Sequence, residues 1–277
     1  IVAEQGWNTD GMRIVGSPNA AGDGYRIAMD NGACSFMADS AQSILYAIEA
    51  FPPIDFHDAA ENPLYGYFGI ASGGPVLWVN EACRRYTRED LANDNLALQC
   101  LPGKGNKGNY VVFDQAIFDR FFGKNDDAKK AFYDAIKANG GGSIYQSDSL
   151  ADLAGRFNLD ADALKAAVDR YNELCGEGAD SDFGKAAGLM VPIETPPFYL
   201  AKLSYNYFFS VGGITTDGRH RVLDGRRNPI EGLYAIGNDG NMLYRNVYTV
   251  NMPGVAFGHQ VNSGREAANA VLEYLDR

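Results

Sequence analysis

An apolar run, Leu233-Tyr234-Ala235-Ile236, stops at Gly237-Asn238-Asp239-Gly240, and a Pro253-Gly254 step then opens a helix that reaches about Leu275. This order constrains the fold more than any other feature of the chain. A short apolar run bounded by turn residues reads as a buried strand. Open α/β sheets meet their ligands at the carboxyl end of such a strand. The Pro-Gly step leaves the first backbone N–H groups of the helix unpaired and presents the positive end of its dipole. The helix reads as amphipathic through Val261, Ala268, Val271 and Leu275.

Upstream, Gly22-Asp23-Gly24 leads into a short helix that Gly32 stops. Pro52-Pro53 and Pro63 mark a change of character, after which Pro75–Asn80 and Tyr110–Asp114 read as strands. A helix over Asp126–Asn139 ends in Gly140-Gly141-Gly142. Ser149, with Asp152 three residues on, starts a short helix. Asp160 caps a longer one with Leu164, Ala167, Val168, Tyr171 and Leu174 on one face. Thr195-Pro196-Pro197 breaks the pattern, and several short strands follow from Phe198. The architecture is α/β plus α+β. A partial Rossmann-like domain (1–48 and 199–277) encloses an inserted domain at 49–198.

A net charge of −11 with no basic cluster excludes a nucleic-acid partner. No apolar run of roughly eighteen residues is present to span a membrane. Cys34, Cys83, Cys100 and Cys175 lie far apart, which suits buried thiols rather than a disulfide framework or a zinc site, and no metal site is read. Ile1-Val2-Ala3-Glu4 shows neither an initiator Met nor a signal peptide. The start reads as a cut, and no compartment is read from it. Gly103-Lys104-Gly105-Asn106-Lys107-Gly108 matches the dinucleotide fingerprint by spacing, but it precedes a strand instead of following one and reads as a loop.

Gly22-Asp23-Gly24, Gly212-Gly213-Ile214-Thr215-Thr216-Asp217, Gly232–Asp239 and Pro253–Gly258 occur in an order that resembles the fumarate reductase and succinate dehydrogenase flavoprotein family. So do Val79-Asn80 with Arg84–Glu89, Asp182-Phe183-Gly184 and Pro196–Tyr199, which resemble its capping domain. The resemblance begins near Gly11 and implies FAD as cofactor. The family's opening strand and Gly-rich turn, which hold the ADP half of FAD, have no counterpart in these residues. It implies cofactor contacts at Asp23, Gly237, Asn238, Val250 and Asn251. On the residues alone, Asp23 reads first as a helix cap, and Gly237-Asn238 serves equally as a plain turn. It also implies Arg245 as the catalytic, substrate-binding arginine, a guanidinium able to grip a carboxylate on two oxygens; a surface arginine is the alternative.

The chain departs from that pattern where fumarate would bind. Asn93 stands near the place of the proton-donating arginine and cannot act as a general acid. Phe208 and Phe209 replace histidines, which makes them, with Tyr248, candidate walls of a substrate pocket that Tyr205, Tyr207 and Tyr244 extend. The expectation is an FAD-dependent oxidoreductase moving a hydride between flavin N5 and an activated C=C bond. Its small-molecule substrate is larger and more apolar than fumarate, and an electron-donor protein or reduced carrier is a possible partner. The alternative is a non-catalytic piece that binds a small molecule or protein and does not hold FAD by itself.

Overall fold

The computed structural model describes residues 2–17, 19–37, 43–51, 73–94, 98–122, 125–244, 248 and 252–276. Its strands are β1 (Arg13–Ile14), β2 (Ser43–Ile48), β3 (Leu77–Asn80), β4 (Asn109–Asp114), β5 (Ile144–Ser147), β6 (Phe198–Phe209), β7 (Arg221–Leu223) and β8 (Pro229–Tyr234). The helices longer than a turn or two are α1 (Asp23–Asp30), α2 (Asp126–Ala138), α3 (Leu150–Arg156), α4 (Ala161–Glu177) and α5 (Val255–Leu275). The chain divides into two compact units. One comprises Ile1–Gln5, Gly16–Ile44 and Tyr207–Arg277, the other Gly6–Val15 and Leu45–Asn206.

The larger unit is built around β6. Strands β1, β2, β4 and β5 all pair with β6, and β3 extends the sheet beyond β4. Val111 of β4 and Ile144 of β5 both lie opposite Ala201. Beyond Pro197 the short strands β7 and β8 are found as expected, but the first strand from Phe198 runs for twelve residues. No Gly or Pro interrupts Phe198–Phe209, and two of its polar residues find partners from other segments of the same unit. Lys202 meets Glu49 at 2.9 Å, and Ser204 accepts from Arg13 at 2.9 Å. On the core side Tyr199 stacks on Phe113 at 4.9 Å between ring centroids, and Phe132 of α2 meets Tyr199 edge-on at 5.8 Å. Burying each such ring contributes roughly 1.5–3 kcal/mol.

Local capping follows the sequence pattern. Asn125, Ser149 and Asp160 accept from first-turn amides of α2, α3 and α4, and α4 buries Leu164, Val168, Tyr171 and Leu174. Asp114 ends β4 by accepting from Ile117 N–H at 2.9 Å and from the Glu194 and Thr195 N–H groups at 2.8 Å. Beneath α4 lies a buried charge cluster. Arg85 grips both Glu89 and Asp180, while Lys185 reaches Glu89 (3.1 Å), the Val76 carbonyl (2.6 Å) and the Tyr171 hydroxyl (2.9 Å). Burial pushes the Asp180 carboxyl up, but hydrogen bonds from Arg85 and the Lys185 amide outweigh it and hold the group at about 2. Cys83 and Cys100 are buried, whereas Cys34 and Cys175 are only half-buried.

The smaller unit packs α1 and the β7–β8 hairpin around Ala28, Ala33, Ile214, Val222 and Ala235, and α5 lies against β8. Gly32, at φ 87°, closes α1 as its position predicts. The buried face of α5 differs from expectation. Val261, Ala268 and Leu275 are exposed, and Ser263, Ala267 and Ala270 are buried instead. Small side chains there let the helix approach β8 closely enough for the Tyr234 hydroxyl to reach the Ala270 carbonyl at 3.4 Å.

Candidate functional site

The smaller unit brings together two turns that are far apart in sequence. Gly22, in the left-handed region at φ 78°, precedes α1, and no side chain caps that helix. Asp23 is the first helical residue; its carboxylate is exposed and paired with Arg26 one turn on. Gly24 lies against the Asp239 carboxylate, so closely that a Cβ at position 24 would collide with it. Partial burial pushes the Asp239 carboxyl up.

The 237–240 turn is held from three sides. Ile214 N–H donates to the Asp239 carbonyl at 2.6 Å, and Gly213 passes so near that carbonyl that no side chain fits. Gly240 makes a similar approach to the Ala235 carbonyl. Gly237 N–H donates to Ser263 Oγ at 3.0 Å, and Gln260 donates to Asn238 Oδ1 at 3.2 Å, both from α5. The glycines of the Gly212-Gly213 and Asn238-Asp239-Gly240 motifs are thus required by close backbone approach. Asn238 keeps an exposed side chain. Beyond the turn, Gly254 (φ 86°) starts α5, and no side chain caps that start.

An aromatic wall belongs to the same unit. Tyr248 meets Phe209 edge-on at 5.0 Å and Tyr244 edge-on at 5.0 Å. Phe208 is half-buried, and the Tyr207 hydroxyl is shared with Ser210 at 2.7 Å. The buried Tyr244 hydroxyl has no hydrogen-bond partner among the described residues. Burial pushes this phenol up, with neighbouring Tyr248 adding to it, so it stays protonated at neutral pH. An unpartnered buried hydroxyl costs about 1–3 kcal/mol, which a ligand acceptor would recover.

Arg245, Val250 and Asn251 lie outside the described residues, as does His57. Asp239 and Ser263 were not singled out from the sequence. The glycines at 24, 213 and 240 were the available signal for Asp239, because each marks a backbone that nothing larger than hydrogen can occupy. The polar groups suit the periphery of a flavin: an exposed amide at Asn238, a carboxyl at Asp239 and an uncapped helix start at Gly254 that offers backbone donors to an anion. Among the described residues there is no cluster of three or more metal-ligating side chains, and no helix is long and apolar enough to cross a membrane.

Residues 1–250 match the family described as FAD binding domain. The vinyl phenol reductase of Lactiplantibacillus plantarum is 27% identical over 97% of this chain and 56% of its own length. The urocanate reductase of Eggerthella lenta is 34% identical over 74% of this chain and 33% of its own length. Among solved structures, the 3-ketosteroid Δ1-dehydrogenase of Sterolibacterium denitrificans superposes with a TM-score of 0.61 at 22% identity, covering 91% of this chain and 48% of that one. The open conformation of a flavocytochrome c3 fumarate reductase gives 0.56 at 21% identity, covering 99% and 43%. These two likenesses establish the fold. The chain spans about half, or less, of the length of the curated relatives it matches. With a match that covers most of its residues, the chain belongs to the FAD-binding flavoprotein family that includes the fumarate reductases.

Proposed function

We propose that this chain is the substrate-facing part of an FAD-dependent oxidoreductase acting on an activated C=C or CH–CH bond, with a substrate larger and more apolar than fumarate. Bound FAD supplies hydride acceptor or donor chemistry at its N5. The smaller unit contributes the rim of the flavin site through Asp23, Gly237, Asn238 and Asp239, with the backbone at Val250 and Asn251. The larger unit serves as the capping domain. Arg245 orients a carboxylate or carbonyl of the substrate.

The observation that carries this reading is the Phe209–Tyr248–Tyr244 wall with its one unpartnered buried hydroxyl. Edge-to-face rings accept a flat or ring-shaped apolar body. The Tyr244 hydroxyl, protonated and unspent, can donate to the substrate's polar end or supply the proton that Asn93 cannot. The names of several relatives point the same way: they act on a vinyl phenol, on urocanate, on 3-oxosteroids and on 4-oxocyclohexanecarboxylate. The test is anaerobic oxidation of reduced methyl viologen by the flavin-loaded protein with 4-vinylphenol, urocanate, a 3-oxosteroid and fumarate. At least one ring-bearing substrate is expected to exceed fumarate in kcat/KM by tenfold or more; fumarate as the best of the four overturns the reading.

A further inference from the structure

A cleft of about 430 Å³ opens on the larger unit between α4 and two turns, at 82–85 and 182–183. Pockets that hold small molecules are concave, mostly apolar and supplied with a few polar groups that fix orientation. This cleft has that composition. Ala163, Ala166 and Ala167 of α4 leave the space, and Tyr171, Leu174 and Phe183 give it apolar walls. Phe183 is 40% exposed, although its ring is large and apolar. The floor is rigid. The Arg85 guanidinium lies over the Tyr171 ring at 5.3 Å and the Phe183 ring at 5.1 Å, while Glu89 and Asp180 hold it. Cys83 also lines the cleft, but its thiol donates to the Asp160 carbonyl at 3.5 Å and burial pushes its pKa up. A thiol so placed is a poor nucleophile, so the cleft is built to bind and not to react.

The charges around the cleft are matched except at one position. Arg170 grips Asp182 through Nε at 3.1 Å and Nη2 at 2.7 Å, and Arg85 has its two carboxylates. Arg88, close by in sequence, pairs with Asp90 and Asp94. Arg84 has no carboxylate partner among the described residues, and it lines the cleft from an exposed position. Glu81, the acid nearest to it along the chain, accepts instead from the Lys107 and Gly108 N–H groups at 3.1 and 3.2 Å. The chain has 35 acidic and 24 basic residues, so an arginine without a carboxylate is a cation kept free for an anion from outside. Its backbone is already fixed. Arg84 N–H donates to Asn80 Oδ1 and its carbonyl accepts from Asn80 N–H, both at 3.0 Å. The guanidinium can therefore meet a carboxylate on two oxygens without reordering the turn. The volume stands near the lower end of the range for small-molecule pockets, roughly 300–1,000 Å³, which limits the ligand to one or two rings.

We propose that this cleft binds a small aromatic carboxylate, with the ring against Phe183 and the α4 alanines and the carboxylate on Arg84. The site lies wholly within the larger unit and does not depend on the FAD reading. The test is calorimetric titration with 2-naphthoate and with its uncharged isostere 2-naphthamide. It is made on the unsubstituted protein and on its Arg84→Gln and Ala166→Phe variants. Both positions are exposed, so each variant should keep its Tm within about 2 °C, and the phenyl ring at 166 fills the cleft without entering the core. One naphthoate site should weaken at least tenfold in Arg84→Gln and vanish in Ala166→Phe. The amide should bind that site at least tenfold more weakly than the acid, and Arg84→Gln should leave its affinity unchanged. Naphthoate binding of which no part is lost in either variant lies elsewhere on the molecule and overturns the inference. Loss in Ala166→Phe alone would show an apolar site without an anion and overturns it too, as would an amide that binds as tightly as the acid, or no naphthoate binding at all.

Discussion

Substituting Gly213 by Ala tests whether the 237–240 turn is held as tightly as its contacts require. The added methyl has no room, since it would fall within the van der Waals radius of the Asp239 carbonyl oxygen, a backbone atom that cannot swing aside. Forcing the two segments apart costs about 1–3 kcal/mol as overpacking. It also strains the Ile214 N–H to Asp239 carbonyl bond of 2.6 Å, worth about 1 kcal/mol. The total, about 2–4 kcal/mol, corresponds to a fall in Tm of about 4–16 °C for a protein of this size. Gly258 supplies the control. It lies inside α5, has a helical backbone, and a Cβ there would meet nothing within 4 Å. Gly258→Ala should therefore stabilise by about 0.5–1 kcal/mol, because alanine loses less backbone entropy on entering a helix. Both variants are compared by differential scanning fluorimetry and by FAD content. Only Gly213→Ala should lose flavin, because only it displaces Asn238 and Asp239. Equal Tm shifts for the two substitutions, or a neutral Gly213→Ala, would show that the turn yields freely and that its glycines have no role in holding it.

Tyr244→Phe removes a hydroxyl that has no partner among the described residues, so Tm should rise by about 2–12 °C. Turnover of the preferred substrate should fall at least tenfold, and unchanged turnover would remove the hydroxyl from the reaction. Lys185→Met leaves Glu89 buried with half its counter-charge and the Val76 carbonyl and Tyr171 hydroxyl without their donor. A loss of about 3–5 kcal/mol in urea unfolding is expected, and a loss below 1 kcal/mol would refute the reading of the cluster. Asp180 titrates at about 2 in the fold against 3.8 for a free carboxyl. Its folded value is depressed, so its contribution of roughly 2 kcal/mol is complete above pH 4 and is lost as pH falls toward 2. Asp180→Asn should accordingly flatten the acid limb of the Tm against pH curve over that window, and identical limbs would refute it.

The larger unit was legible in the sequence wherever local chemistry decides structure. Ser149 and Asp160 announce helix starts because their side chains satisfy orphan amides within three residues, and Asn125, not singled out beforehand, does the same for α2. Trp78, Val111 and Val112 announce strands because both of their neighbours along the chain are also apolar. The length of β6 was not legible, because Lys202 and Ser204 look like interruptions until Glu49 and Arg13 are seen paired with them. Those partners lie far away in sequence, and no local pattern encodes them.

Helix α5 shows the same limit in a form that bears on function. Its periodicity contains both Ser263-Ala267-Ala270 and Phe257-Val261-Leu272-Leu275, and an apolar count favours the second set, since its side chains are larger. The fold buries the first. Small residues permit close approach to β8 and place Ser263 Oγ against Gly237 N–H, so the helix is positioned by what the 237–240 turn needs. Hydrophobic periodicity reports which residues avoid water; it carries no information on which layer, within these residues or beyond them, takes each face. The resemblance to flavoproteins supplied the turn and the helix start.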